Sequence, residues 1–358
     1  MSIGLTNSIP YANQVGGFDP LSIPNCVAWY DFTDASTMWQ DVERTTQTIP
    51  GDASANSIGG YKHDIGAIDN KVTGSALNKL GTFARARSND ESSETYKTRA
   101  FIDAEGYPYA LSYGPSAVYC GLCAGNYTNL DSGEDLLDWG CATTGKLSDI
   151  SLNSQEITVF VIARGVSTDT WGPMNSFSYV GFEGTATGGS TDVTFFTMGW
   201  NVDESSYVSL ISLDQTPIFE TITGALDFDN FSMGSNARQL QMFRGAPGTN
   251  AAKSRFAGST SPSGSIDHDE TTTGTLDNNM LAEMDQDVST GKICKFCIGT
   301  STVATQALNA VGSSFESGAA WGLGMHEVIV YNRTLTDQEV TDVTNFLTAK
   351  HRFATILS

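Results

Sequence analysis

The chain has 358 residues, 40% of them hydrophobic and 16% charged, with 36 glycines; that excludes a disordered chain and fits one large loop-rich domain or two ordinary ones. Asp and Glu outnumber Lys and Arg by 40 to 19, for a net charge of −21, which repels a phosphate backbone and excludes nucleic acid as a partner. No apolar run is long enough to span a bilayer, so no membrane insertion is expected. The first Arg is Arg44 and the first Lys is Lys62. No secretory leader is therefore read at Met1, and synthesis in a cytoplasm is expected.

Residues 1–25 carry no basic residue and no periodic pattern, and three prolines break them up. Such a segment cannot build a core alone, yet Ile3, Leu5, Ile9, Tyr11 and Phe18 are too apolar for a solvated tail. It reads as an extended N-terminal arm whose Leu5, Ile9, Tyr11 and Phe18 contact a partner. "CVAWYDF" (Cys26–Phe32) opens the body, residues 26–358, as its first strand. Residues 40–150 read as irregular, with short strand candidates in "YALSYG" and "AVYCGL". From Glu156 the strands are clear: "EITVFVIARG", "FSYVGFEG", "DVTFFTMGWN", "SYVSLISLD" and "RQLQMFRG". Residues 245–290 read as a second loop-rich elaboration, followed by strands in "KICKFCIGT" and "GMHEVIVYN". Regularly spaced strands without intervening helices predict an all-β antiparallel sandwich or barrel. One short C-terminal helix follows. Thr336 and Glu339 have capping-box spacing, and Leu335 and Val340 sit at the staple positions. Val340, Val343 and Leu347 share one helical face, while Lys350, His351 and Arg352 place positive charge at the C-terminal end of the dipole.

Residues that could carry chemistry are sparse. Two C-x-x-C pairs, Cys120/Cys123 and Cys294/Cys297, would hold a zinc ion if all four met in space. The second pair lies on a strand, where positions i and i+3 face opposite sides, so buried free thiols are favoured over zinc. Glu283, Asp285 and Asp287 alternate as in the E-x-D-x-x-E motif of glycoside hydrolases, but Val288 stands where the last Glu belongs. The four histidines (His63, His268, His326, His351) are scattered. The acidic stretches "LDFDN" (226–230) and "IDHDE" (266–270) could ligate calcium, though neither has a full calcium-loop spacing and each reads as a polar loop. Trp29 and Trp200 sit in strand patterns and read as core; Trp171, in "DTWGPMN", is the best loop candidate for stacking on a glycan. No catalytic, cofactor or metal residue is assigned.

Three separated segments resemble one family. "SIPNCVAWYDFTDAST" (Ser22–Thr37) is similar to the opening of laminin-G-like, concanavalin A-like domains, although Asn25-Cys26 stands where that family often has Gly-Leu. "EITVFVIAR" resembles their central strand, and residues 292–351 resemble their closing strand and terminal helix. The resemblance implies a concanavalin A-like β-sandwich, or jelly roll. With the "FDPLSIP" lead-in it looks like the virion structural proteins of marine and cyanobacterial phages. The expectation is a non-enzymatic capsid decoration protein on the outer surface of the virion, attached partly through its arm to the major capsid protein. A receptor-recognition module binding host-surface glycans is the alternative, and a glycan-cleaving enzyme the second. No cofactor is expected, with calcium the one ion the acidic stretches could take.

Overall fold

The computed structural model describes residues 17–41, 44–52, 61–74, 79–86, 98–103, 105–112, 118–124, 127–128, 135–136, 156–165, 176–185, 193–201, 204–212, 238–245, 252–258, 267–272, 294–298 and 323–352. In chain order the first strands are β1 (Cys26–Asp31), β2 (Met38–Trp39), β3 (Gly51–Asp52), β4 (Ala67–Asp69), β5 (Lys79–Ala86), β6 (Thr98–Ile102) and β7 (Pro108–Ser112). There follow β8 (Val118–Ala124), β9 (Tyr127–Thr128), β10 (Asp135–Leu136), β11 (Ile157–Gly165), β12 (Ser176–Thr185) and β13 (Val193–Asn201). The last are β14 (Glu204–Ser212), β15 (Arg238–Gly245), β16 (Ala252–Gly258), β17 (Asp267–Thr272), β18 (Cys294–Ile298) and β19 (Leu323–Tyr331), and helix α1 spans Asp337–Lys350.

The fold is all-β with one helix, as the strand spacing predicts. One sheet runs β17-β16-β15-β11-β19-β7-β6-β3, with β1 also paired to β19; the other runs β14-β13-β12-β18-β8-β5-β4-β2. Pairing is antiparallel throughout the described strands except for β3 beside β6. β11 lies along one edge of β19. The other edge is shared: β7 takes Gly324 and Met325, and β1 takes Glu327 to Tyr331.

β19 and β11 are apolar runs because both their faces are covered. Val159 and Val161 are as buried as Phe160 and Ile162, and Val328 to Tyr331 are fully buried. Phe160, Ile162, Leu240, Met242, Ile329 and Tyr331 form one cluster with Trp29 and with Val340, Val343 and Leu347 of α1. The other sheet touches this one where β12 meets β19 and β8 meets β6. The helix begins where the sequence predicts. Thr336 Oγ1 accepts from Glu339 N–H and the Glu339 carboxylate accepts from Thr336 N–H, a complete capping box.

Three expectations differ from what is observed. Residues 40–150, read as an irregular elaboration, supply β3 to β10 and thereby strands of both sheets. Two of these, β7 and β8, are the candidates in "YALSYG" and "AVYCGL"; β3, β4, β9 and β10 have two or three residues each, too few to show a two-residue period. Likewise β16 and β17 lie inside 245–290, and "IDHDE", read as a loop, forms part of β17. The described part of the N-terminal segment, residues 17–25, lies on the body. Pro20 C=O accepts from Tyr331 Oη (3.1 Å), Pro24 C=O from Arg333 Nε (3.2 Å), and Ile23 is buried in the core cluster. Asn25 has φ 68, the left-handed region that Gly occupies freely and Asn tolerates best among other residues.

Candidate functional site

Asp31 ends β1 and faces Glu327 of β19 in register. Two carboxylates directly opposite in a sheet repel, and here both are buried, at 2% and 1% exposure. The last residue of α1 resolves the conflict. Lys350 Nζ lies 2.7 Å from Asp31 Oδ2 and 2.8 Å from Glu327 Oε2. Lys71 adds a second ammonium 2.7 Å from Asp31 Oδ2 and 3.1 Å from Asp34 Oδ2. Trp29 Nε1 donates to Glu327 Oε1 (2.6 Å), and His351 Nε2 donates to Glu327 Oε2 (2.7 Å). Both ammonium groups also sit beside the Trp29 ring, Lys71 Nζ at 4.9 Å and Lys350 Nζ at 5.8 Å.

Local structure delivers Lys71. The free edge of β1 is met by Asn70, whose Oδ1 accepts from Trp29 N–H (2.8 Å) and whose Nδ2 donates to Val27 C=O (3.0 Å). Lys71 N–H then donates to Trp29 C=O (2.9 Å). The loop after β4 thus pairs with β1 as a short strand would.

A second buried group abuts the first. His326 Nδ1 donates to Pro108 C=O (2.9 Å), and its Nε2 lies 4.0 Å from Asp103 Oδ2. Arg238 of β15 is fully buried, with Nη1 3.6 Å from Asp103 Oδ2 and Nη2 bonded to Glu105, and its guanidinium lies 3.8 Å over the Tyr107 ring. Tyr107 stacks on His351, with ring centroids 5.9 Å apart, and His326 meets His351 edge-on at the same separation. An unbroken chain of charged and aromatic groups therefore runs from Glu105 to Asp34 beneath the helix C-terminus.

Electrostatics fix the protonation of its centre. Burial pushes the Asp31 carboxyl up, but the Lys350 and Lys71 ammonium groups beside it prevail and hold it well below the ordinary carboxylate range. Burial also opposes charge on Lys350 and Lys71, and the neighbouring carboxylates again prevail and raise both. His351 is the exception. Burial lowers it, Lys350 and Arg238 lower it further, and the bond to Glu327 does not compensate, so it is neutral at neutral pH. Asp31 and Glu327 thus share one ammonium, out of solvent. A retaining glycosidase pair needs one protonated carboxyl and an approach for substrate. Asp31 and Glu327 are instead enclosed, at 2% and 1% exposure, and Lys350 ties their two strands together.

Of the sequence-predicted site residues, Phe18 is half-buried and packs on Phe346 of α1, with ring centroids 6.1 Å apart. Leu5, Ile9, Tyr11 and Trp171 lie outside the described residues, as do Glu283, Asp285, Asp287 and the 226–230 stretch. Trp29 is buried, as its strand pattern predicts. The histidines, scattered in sequence, are brought together in one pair, His326 and His351. Lys350 and His351 were read only as partners of the helix dipole. The signal for their burial was the lone acidic residue in each of two apolar strands, "CVAWYDF" and "GMHEVIVY", which demands a buried cation.

No family model matches the chain, and no curated protein does. Among solved structures, Trypanosoma rangeli sialidase in complex with 2,3-difluorosialic acid matches with a TM-score of 0.33 and 11% identity, over 91% of this chain and 33% of that one. A GH54 α-L-arabinofuranosidase soaked with a cyclic sulfate inhibitor matches with a TM-score of 0.37 and 13% identity, over 91% of this chain and 63% of that one. The chain thus spans a third to under two-thirds of the length of these structures. Both are glycoside hydrolases, and this corrects the expectation of a non-enzymatic protein, which is not carried forward. At these TM-scores the likeness assigns this chain no reaction and no catalytic residue. No helix among the described residues is long and apolar enough to cross a membrane.

Proposed function

We propose that the chain is a concanavalin A-like, laminin-G-like β-sandwich serving as a structural protein on the outer surface of a phage virion, in its most specific form a capsid decoration protein. One observation carries the reading. The three segments that resemble the family, far apart in sequence, meet as adjacent strands β1, β19 and β11, with α1 packed over them. The fastening of residues 17–25 to that corner adds support. It gives residues 1–16, with Leu5, Ile9 and Tyr11, a fixed point of departure toward a neighbour such as the major capsid protein. Apolar side chains of this kind contribute about 1.5–3 kcal/mol each when buried, against about 1–2 kcal/mol per residue ordered, so attachment rests on main-chain pairing and many copies.

The test is cryo-microscopy of particles carrying the tagged chain. Density at regular sites on the outer capsid is expected. Deletion of residues 1–16 should remove it while leaving the melting temperature of the isolated protein unchanged. Absence of the chain from particles, or a location inside them, overturns the reading; full occupancy by the truncated chain overturns the role of the segment.

A further inference from the structure

The two C-x-x-C motifs lie on neighbouring strands of the eight-stranded sheet. β8 and β18 pair antiparallel with Cys123 directly opposite Cys297. In such a ladder opposed Cα atoms are about 4.5 or about 5.5 Å apart, according to whether the pair is hydrogen-bonded. A disulfide spans Cα separations of about 4.4–6.8 Å, so either kind of site admits one.

The register separates the other two cysteines. Cys120 precedes Cys123 by three positions and Cys294 precedes Cys297 by three, on strands of opposite direction. That puts Cys120 and Cys294 toward opposite ends of the ladder, about six residues or roughly 20 Å apart. Four thiolates at about 2.3 Å from one zinc ion are incompatible with this spacing. Each motif therefore contributes one cysteine to a pair, not two to a tetrad.

The position of the pair in the sheet bears on its accessibility. Leu122 and Ile298, register partners one residue from the cysteines, are both buried. Their row continues through Val180, Met198 and Val208, and the row on the other side holds Phe296, Phe182, Phe196 and Leu210. Both rows are apolar in sequence, and the burial of Leu122 and Ile298 marks their face as covered at β8 and β18. The cysteine row alternates with them, on the opposite face, and runs from Gly81 through Cys123, Cys297 and Gly181 to Thr197 and Ser209. It is a row of small and polar residues, with glycine on both flanks of the pair.

We propose that Cys123 and Cys297 are a redox-responsive pair that closes to a cross-strand disulfide by exchange with a low-molecular-weight disulfide. The thiolate of one cysteine attacks a sulfur of the small disulfide, breaking its S–S bond and releasing one small thiol. The second thiolate attacks the mixed disulfide and releases the other. One protein S–S bond forms, two protein thiols are oxidised, and their two protons leave on two small thiols. The oxidised form staples residues 123 and 297, locking β18, and with it the β12–β14 side of the sheet, to β8. The inference is independent of any role in a virion.

The full-length native protein is incubated with glutathione disulfide, its remaining thiols are alkylated, and it is unfolded and digested. Cleavage after Leu122 and after Lys295 separates the two members of each motif. The expected product is a linked peptide pair containing Cys123 and Cys297, in a protein lighter by two hydrogens. Its melting temperature should rise on oxidation, because the cross-link restricts the unfolded chain. That rise should vanish in Cys123→Ser and in Cys297→Ser and persist in Cys120→Ala. Half-buried Cys26, whose thiol burial pushes up to about 12, should remain alkylatable after unfolding. Linkage within a motif, mixed disulfides alone, or full alkylation of Cys123 and Cys297 after oxidant treatment would each overturn the proposal, and all three are read on the unmodified sequence.

Discussion

The two ends of α1 are held by the same kinds of bond in opposite surroundings. At the N-terminal end the ties reach water: Thr336 and Glu339 cap the helix, Arg333 bonds Glu339 with both side chains partly exposed, and buried Arg244 bonds Asp337, whose side chain is 80% exposed. At the C-terminal end Lys350 and His351 are enclosed with Asp31 and Glu327. In water an ion pair is screened and adds little; out of water each partner depends on the other to remain charged at all. The exposed end sets where the helix begins, and the buried end sets which strands it may close upon.

This contrast is broken most severely at Lys350. Lys350→Met leaves Asp31 and Glu327 opposed and buried without their shared ammonium, and unfolding in denaturant should show a loss of about 3–5 kcal/mol; a loss under 1 kcal/mol would mean the seam is solvated. Acid acts next, in two stages. His351 is neutral in the folded protein and held below its ordinary value, so the unfolded chain takes up the proton first. Its contribution is complete above about pH 6.5 and declines as pH falls below it. His351→Gln should flatten that part of the stability profile alone. Asp31, held low, gives a further decline only below about pH 4, which His351→Gln should leave in place. At the exposed end, Thr336→Ala should lower stability by about 1 kcal/mol, measured in the same denaturant series. The smallest effect belongs to Glu339→Gln. Its carboxyl is drawn down to about 2 by the Arg333 guanidinium, yet the pair is partly exposed and should contribute under about 1 kcal/mol, diminishing with added salt. A loss at Glu339 equal to that at Lys350 would erase the distinction between the two ends.

What could be read from sequence follows the same division. The capping box, the Val340–Val343–Leu347 face and the apolar strands β1, β11 and β19 are local patterns, and each appears where its period places it. The pairing of Asp31 with Lys350 spans 319 positions, and nothing local announces it beyond an acid misplaced in an apolar run. Between residues 40 and 150, "YALSYG" and "AVYCGL" mark β7 and β8, and other strands escaped for another reason. β3 and β4 have two and three residues, too few to complete an alternation, and they are strands because neighbours supply the ladder. The opposition of Cys123 and Cys297 was hidden likewise: register between distant strands is a property of the sheet, and the spacing within either motif carries no trace of it.

The seam between β1 and β19 also dictates when this protein can fold. β1 and β11 leave the ribosome long before β19, and the strand that stands between them is the last of all those described. Until it arrives, both have an open edge, and Asp31 has Lys71 but not yet Lys350 beside it. Closure of so long a loop is slow, and the half-made chain is the species most exposed to misassembly. A ribosome that stops short of Lys350 therefore releases a chain in which Asp31 and Glu327 lack the ammonium they share, and the last residue of the helix is the one that completes the seam.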